Sequence, residues 1–144
     1  MAVYFNKEMK KKVLESGLVD GQGPFHFNLY TNDPAEFVSS GEGTHDDFVH
    51  PTYPGYAAVD TSWVGPYDDE SGEPICIIEE QVFAGPSITS PVTVYGWVAS
   101  QSSNQALCVF EAFDQPLVLT ADNFIGVAPS VKLESLTGAT EVRS

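Results

Sequence analysis

From residue 25 the chain alternates, with Phe25, Phe27 and Leu29 on one side and His26, Asn28 and Tyr30 on the other. A period of two with bulky side chains in one register predicts a β-strand that turns one face to a core. The strand ends in turn residues Thr31 to Pro34, and SSGEGTHDD after it reads as a surface loop. Phe48 and Val49 open a second apolar patch that Pro51 and Pro54 keep irregular. GYAAVDTSWV at 55–64 suggests another strand, and PYDDESGEP reads as a loop. ICIIEEQVF at 75–83 is apolar on both faces, with Cys76, Ile78 and Val82 on one and Ile77 and Phe83 on the other. Such a strand lies between packed layers or under an oligomer contact.

The clearest supersecondary signal is VTVYGWVAS, then QSSN, then QALCVFEAF, which predicts a β-hairpin. Gly96 in its first strand predicts a bulge or the close approach of a large neighbour. PLVLT and FIGVAPSVKLES supply two further strands, and Pro129 places the last one at an edge or a bulge. Before all this, residues 6–16, NKEMKKKVLES, predict a short helix. Asn6 caps it, Phe5, Met9 and Val13 recur at helical spacing, and Gly17 ends it in a left-handed turn. Its lysines lie toward the carboxyl end, where the helix dipole favours cations.

Seven or eight short strands and one helix predict a mainly β fold: a two-layer β-sandwich of jelly-roll or immunoglobulin-like type, or a small barrel, with a short N-terminal helix. The expected organisation is a helical arm at 1–17 and a β-sandwich domain at 18–144. The chain's 144 residues fit one domain with a core of its own, and 42% hydrophobic residues set it far from a disordered composition.

Charge adds an asymmetry to this picture. Residues 1–16 carry four Lys against two Glu, a net +2, so residues 17–144 hold −16 of the total −14. No Lys or Arg occurs between Val13 and Val131. An anionic body with a short cationic arm repels phosphate, so direct nucleic-acid binding is not expected. No apolar run approaches the roughly 18 residues of a membrane span, and charges interrupt the place where a signal peptide would be apolar.

Candidate chemistry is sparse. His45, Asp46, Asp47 and His50 could in principle hold a metal ion, but a His spacing of five followed by Pro51 suits a solvated turn better. The loop DDESGE offers four carboxylates to a hard cation without the spacing of a calcium loop. Cys76 and Cys108 lack a CxxC partner and are expected as buried thiols. No nucleophile elbow, HExxH or phosphate loop is present. The expectation is therefore a protein that is not an enzyme, with no catalytic, cofactor or metal residues. Trp63, Tyr67 and Trp97 could form a sugar-binding platform if exposed and coplanar, or fill a core.

The segments FHFNLYTNDPAEF, DDFVHPTYPGYAAVDTSW and PVTVYGWVASQSSNQALCVFEAFDQPLVLTADNFIGVAPSVKLES together resemble a group of small tailed-phage virion proteins. The resemblance covers roughly residues 25–135 and rests on LYTN, PGY and VYG, which mark turns and packing. It departs from the group at Ala112, where a basic residue often stands. It implies a structural component of the virion, assembled in the host cytoplasm: a capsid decoration (cement) protein whose partner is the major capsid protein. A tail- or fibre-associated role, or a carbohydrate-binding module, is the alternative. A homo-oligomer, dimer or trimer, is expected through the face of Ile75 to Phe83 or the hairpin. The expected interface residues are Phe5, Met9, Lys10, Lys11, Lys12, Val13 and Trp97, with the arm docking on a neighbouring subunit.

Overall fold

The computed structural model describes residues 6–36, 45–105, 108–132 and 138–144. A helix, α1 (Lys7–Leu14), leads through a wider helical turn at Glu15–Val19 into nine strands: β1 (Phe25–Tyr30), β2 (Val59–Thr61), β3 (Val64–Asp68), β4 (Pro74–Ile77), β5 (Gln81–Ala84), β6 (Val92–Gln101), β7 (Cys108–Leu119), β8 (Phe124–Lys132) and β9 (Gly138–Arg143). They form two antiparallel sheets packed face to face, as expected of a β-sandwich. The first runs β2-β1-β6-β7, and the second is built around β8. No helix among the described residues is long and apolar enough to cross a membrane.

In the second sheet β9 pairs with Gly126–Val131 along one edge of β8. The other edge is taken first by β4, against Ser130–Lys132, and then by β5, against Phe124–Val127. The segment 75–84 is thus one line of strand with a one-residue slip at Glu79–Glu80, and β3 extends the sheet beyond β4. A slip of one residue inverts the side-chain alternation. Cys76 and Ile78 therefore face the core, while past the slip it is Phe83 that is buried and Val82 that faces solvent.

Two other expectations are narrowed here. Of the two places expected for Pro129, an edge or a bulge, it takes the second: β8 is the central strand, and Pro129 faces the slip between β4 and β5. Ile78 N donates to Pro129 O at 3.1 Å, and the N–H that proline lacks would have pointed to the place where β4 breaks off before β5. PYDDESGEP is not wholly loop, because Tyr67 and Asp68 pair with Ile75 and Pro74, which leaves only the tip at 69–73 as a turn. Pro66 is accommodated in β3 because the register shifts between Val64 and Tyr67.

The core between the sheets is built on aromatic stacking. Phe27 lies parallel to Trp97 on one side (5.5 Å between centroids) and to Phe83 of the facing sheet on the other (6.0 Å), and Tyr56 stacks on Phe83 at 6.0 Å. A second cluster of Tyr30, Phe48 and Val98 covers the outer face of the first sheet, because β1 and β6 turn alternate residues that way. Cys76 faces the inner cluster and Cys108 packs against the outer one. Burial pushes the Cys76 thiol up to about 11, with the charge of Glu15 adding to it.

Candidate interaction surface

Asn6 caps α1 through its side chain, which accepts from Met9 N at 2.9 Å. Which way the helix faces is set by its spacing. Lys7, Lys10, Leu14 and Leu18 recur at three or four residues and form the stripe that meets the body. Lys7 Nζ lies 3.1 Å from Asp68 Oδ2 and Lys10 Nζ 2.8 Å from Glu73 Oε2. Leu14 is 4% exposed within the core cluster, with Leu18 and Val19 packed against it. The opposite stripe carries Met9, Lys12 and Val13. Met9 is 49% and Val13 39% exposed.

The arm's apolar anchor is therefore Leu14 with Leu18 and Val19, not Met9 and Val13, and it holds the helix to its own chain. Lys10 belongs to that inward stripe, Lys11 lies 4.0 Å from Glu8 on the same helix, and Lys12 is exposed. Phe5 falls outside the described residues. Gly17 does not end the helix, since it sits within the wider turn and the left-handed glycines come later, at Gly21 and Gly23. The helical segment thus runs two residues past the expected boundary at 17.

Trp97 is a core residue, 2% exposed, with its Nε1 3.4 Å from Glu111 Oε1; it cannot serve as an interface side chain. Trp63 is equally buried and contacts Trp97 at 6.4 Å. Of the three aromatics that could have made a sugar platform, Tyr67 alone is exposed. The inner faces of 75–83 and of the hairpin, two segments expected to offer a face to an oligomer contact, are filled by the core.

The acidic loop at the β3–β4 tip is organised by lysines. Asp69 accepts from Ser71 N (2.8 Å), Ser71 Oγ (2.7 Å) and Glu73 N (2.9 Å), and Lys132 Nζ is 2.6 Å from its other oxygen. The Lys132 ammonium, then the Ser71 hydroxyl and the two amide donors, hold this carboxyl well below the usual carboxylate range. With Asp68 and Glu73 bound to α1, three lysines from the two ends of the chain clasp one tip. In HDDFVH, residues 45–47 form a single tight helical turn and Asp46 and Asp47 are exposed. His50 Nδ1 lies 3.4 Å from Leu29 O. Among the described residues no three His, Cys, Asp or Glu side chains gather to hold a metal ion.

The motifs LYTN, PGY and VYG, distant in sequence, meet in space. Tyr30 is fully buried against Gly96, and its hydroxyl donates to Glu111 O at 3.0 Å. Tyr56 donates to Asn28 Oδ1 at 2.8 Å and accepts from Leu29 N at 3.1 Å. Asn32 clips the following loop by donating to Asp47 O and accepting from Val49 N, both at 2.8 Å. Burial raises the hydroxyl pKa of both Tyr30 and Tyr56, so they stay neutral donors. The close approach expected at Gly96 is thus present.

No known protein family, curated protein or solved structure matches the chain. Its surface is consequently read from its own geometry. Two open depressions stand out. One, of about 500 Å³, lies between β7 and β9 and is lined by Glu111, Phe113, Asp114, Leu117 and Val142. The other, of about 490 Å³, lies between residues 49–54 and 88–93, with Tyr53, Tyr95 and His50 among its lining. Sequence reasoning missed both, because each joins segments far apart in the chain. β9, which completes the first groove, carries only weak alternation in GATEVR and was not expected.

Proposed function

We propose that the chain is a structural component of a tailed-phage virion, a capsid decoration protein that stabilises the shell by binding the major capsid protein. The observation that carries this reading is the meeting of LYTN, PGY and VYG around Tyr30, Tyr56 and Gly96. The short motifs on which the resemblance to small virion proteins rests form one packing unit, as motifs that specify a shared fold would.

A decoration protein works by bridging, so that modest contacts to several shell subunits add through effective concentration. A body of net −16 suits a shell surface with basic patches, where complementary charge guides encounter and register. The chain acts in this reading as a non-enzymatic binding module, without nucleic acid or membrane as partner.

The test is to add the purified chain to undecorated shells and sediment the mixture. Saturable binding at a fixed copy number, with a rise in the temperature at which shells break, supports the reading. Binding to tails or fibres but not to shells transfers it to the tail-associated alternative, and binding to neither sinks it.

A further inference from the structure

The depression between residues 49–54 and 88–93 differs in kind from the rest of the surface. In a chain with 20 acidic and 6 basic residues, the described residues that line it include no Asp, Glu, Lys or Arg. Tyr53 and Tyr95 stand in it partly buried, and Thr52, Thr89, Ser90 and Thr93 bring hydroxyl groups to it from exposed positions. Pro51, Pro54 and Pro91 stiffen its walls. Each wall also adjoins a closed turn: Tyr56 N donates to Tyr53 O at 3.1 Å, and Ile88 N to Gly85 O at 2.9 Å. The two rings are held in place as well. Tyr53 packs edge-on against Tyr56 with 5.3 Å between centroids, and Tyr95 packs against the cluster of Tyr30, Phe48 and Val98.

We propose that this groove binds a neutral glycan. Charge narrows the class first. An anionic ligand would be repelled by the body's net −16, and a cationic one would find no carboxylate in the described lining. The apolar C–H face of a sugar ring suits the electron-rich face of a tyrosine. Threonine, serine and tyrosine hydroxyls both donate and accept hydrogen bonds, as sugar hydroxyls do. A proline-rich peptide also stacks on aromatic rings, but it offers chiefly carbonyl acceptors, so a hydroxyl-lined groove favours the sugar. The volume of about 490 Å³ lies within the about 300–1,000 Å³ of small-ligand sites, which leaves room for a short oligosaccharide. Because the walls and rings are fixed before binding, little of the contact energy is lost to ordering them.

The site shares no residue with Trp63, Tyr67 and Trp97, and it stands apart from the virion reading, because a chain that fails to bind shells can still bind a glycan. The full chain should be applied to an array of neutral and sialylated oligosaccharides, and the strongest neutral ligand then titrated by calorimetry. Binding should be confined to neutral glycans. Thr89→Glu with Thr93→Glu changes two exposed residues of the groove and should weaken binding at least about tenfold, the equivalent of one or two lost hydrogen bonds, with the melting temperature kept. Asp114→Ala, in the other depression, should leave the affinity unchanged. An array with no neutral glycan bound, equal binding of sialylated glycans, or a double variant that binds like the wild type would each overturn the proposal. So would a labelled decaproline peptide that binds the wild type more tightly than any glycan and is lost in the double variant.

Discussion

Replacing Gly96 with Ala puts a methyl group into occupied space. The added Cβ would overlap Glu111 O and the Tyr30 hydroxyl and come within 2.6 Å of Tyr30 Cζ. Glu111 O belongs to the backbone of β7 across the ladder and cannot rotate away. Tyr30 is fully buried, with its hydroxyl bound to that same carbonyl. Overpacking costs about 1–3 kcal/mol and occasionally more, and a backbone obstruction puts this case near the top, at about 3 kcal/mol. With a urea slope of about 2 kcal/mol per molar, the unfolding midpoint should fall by about 1.5 M. Tyr30→Phe alone removes one hydrogen bond, about 1 kcal/mol. In the Gly96→Ala background it also removes one obstruction, so the double variant should lose less than the sum of the two. Urea unfolding followed by tryptophan fluorescence measures all three. A Gly96→Ala protein within about 0.5 kcal/mol of wild type, or strict additivity with Tyr30→Phe, would refute the account of this contact.

Leu14→Ala should cost about 2–5 kcal/mol in the same assay, whereas Met9→Ala should stay within about 0.5 kcal/mol, because only the first side chain lies in the core. Trp97→Ala, which breaks the stack on Phe27, should cost about 3–5 kcal/mol, and calorimetry should find the transition strongly lowered or lost. Gly17→Ala meets nothing within 4 Å in a helical turn, so it should be neutral or stabilising by up to about 1 kcal/mol in thermal melts. The folded-state pKa of Asp69 is depressed, so its stabilising effect is complete above its unfolded value of about 3.9 and disappears only as pH falls through the lower folded value. Melting curves across pH should therefore separate Asp69→Asn from wild type most at neutral pH and bring the two together in strong acid.

The sandwich was legible wherever local pattern and tertiary role agree. Phe25, Phe27 and Leu29 alternate and face the core as read, the hairpin of β6 and β7 follows its polar loop, and Gly96 marks a close approach. Legibility failed where the deciding partner lies far along the chain. In α1 two stripes compete, and Met9 with Val13 is as good an apolar signal as Leu14 with Leu18. The choice is made by Asp68 and Glu73, about sixty residues away. The slip at Glu79–Glu80 reverses inside and outside with no turn residue to announce it, and only the register on β8 reveals it. Pro129 is tolerated in a central strand because its missing donor coincides with that same interruption, which composition cannot disclose. Trp97 looked available because aromatic residues serve cores and contacts alike, and nothing in the hairpin says that Phe27 and Phe83 lie beneath it.

The most direct test of the virion reading is a cryo-EM map of the intact particle. The account predicts density for the two-sheet body on the shell, at symmetry-related positions between capsid subunits and at a fixed copy number. Density for this chain found only in the tail or its fibres, or particles that contain no copies of it, would contradict the assignment as a decoration protein.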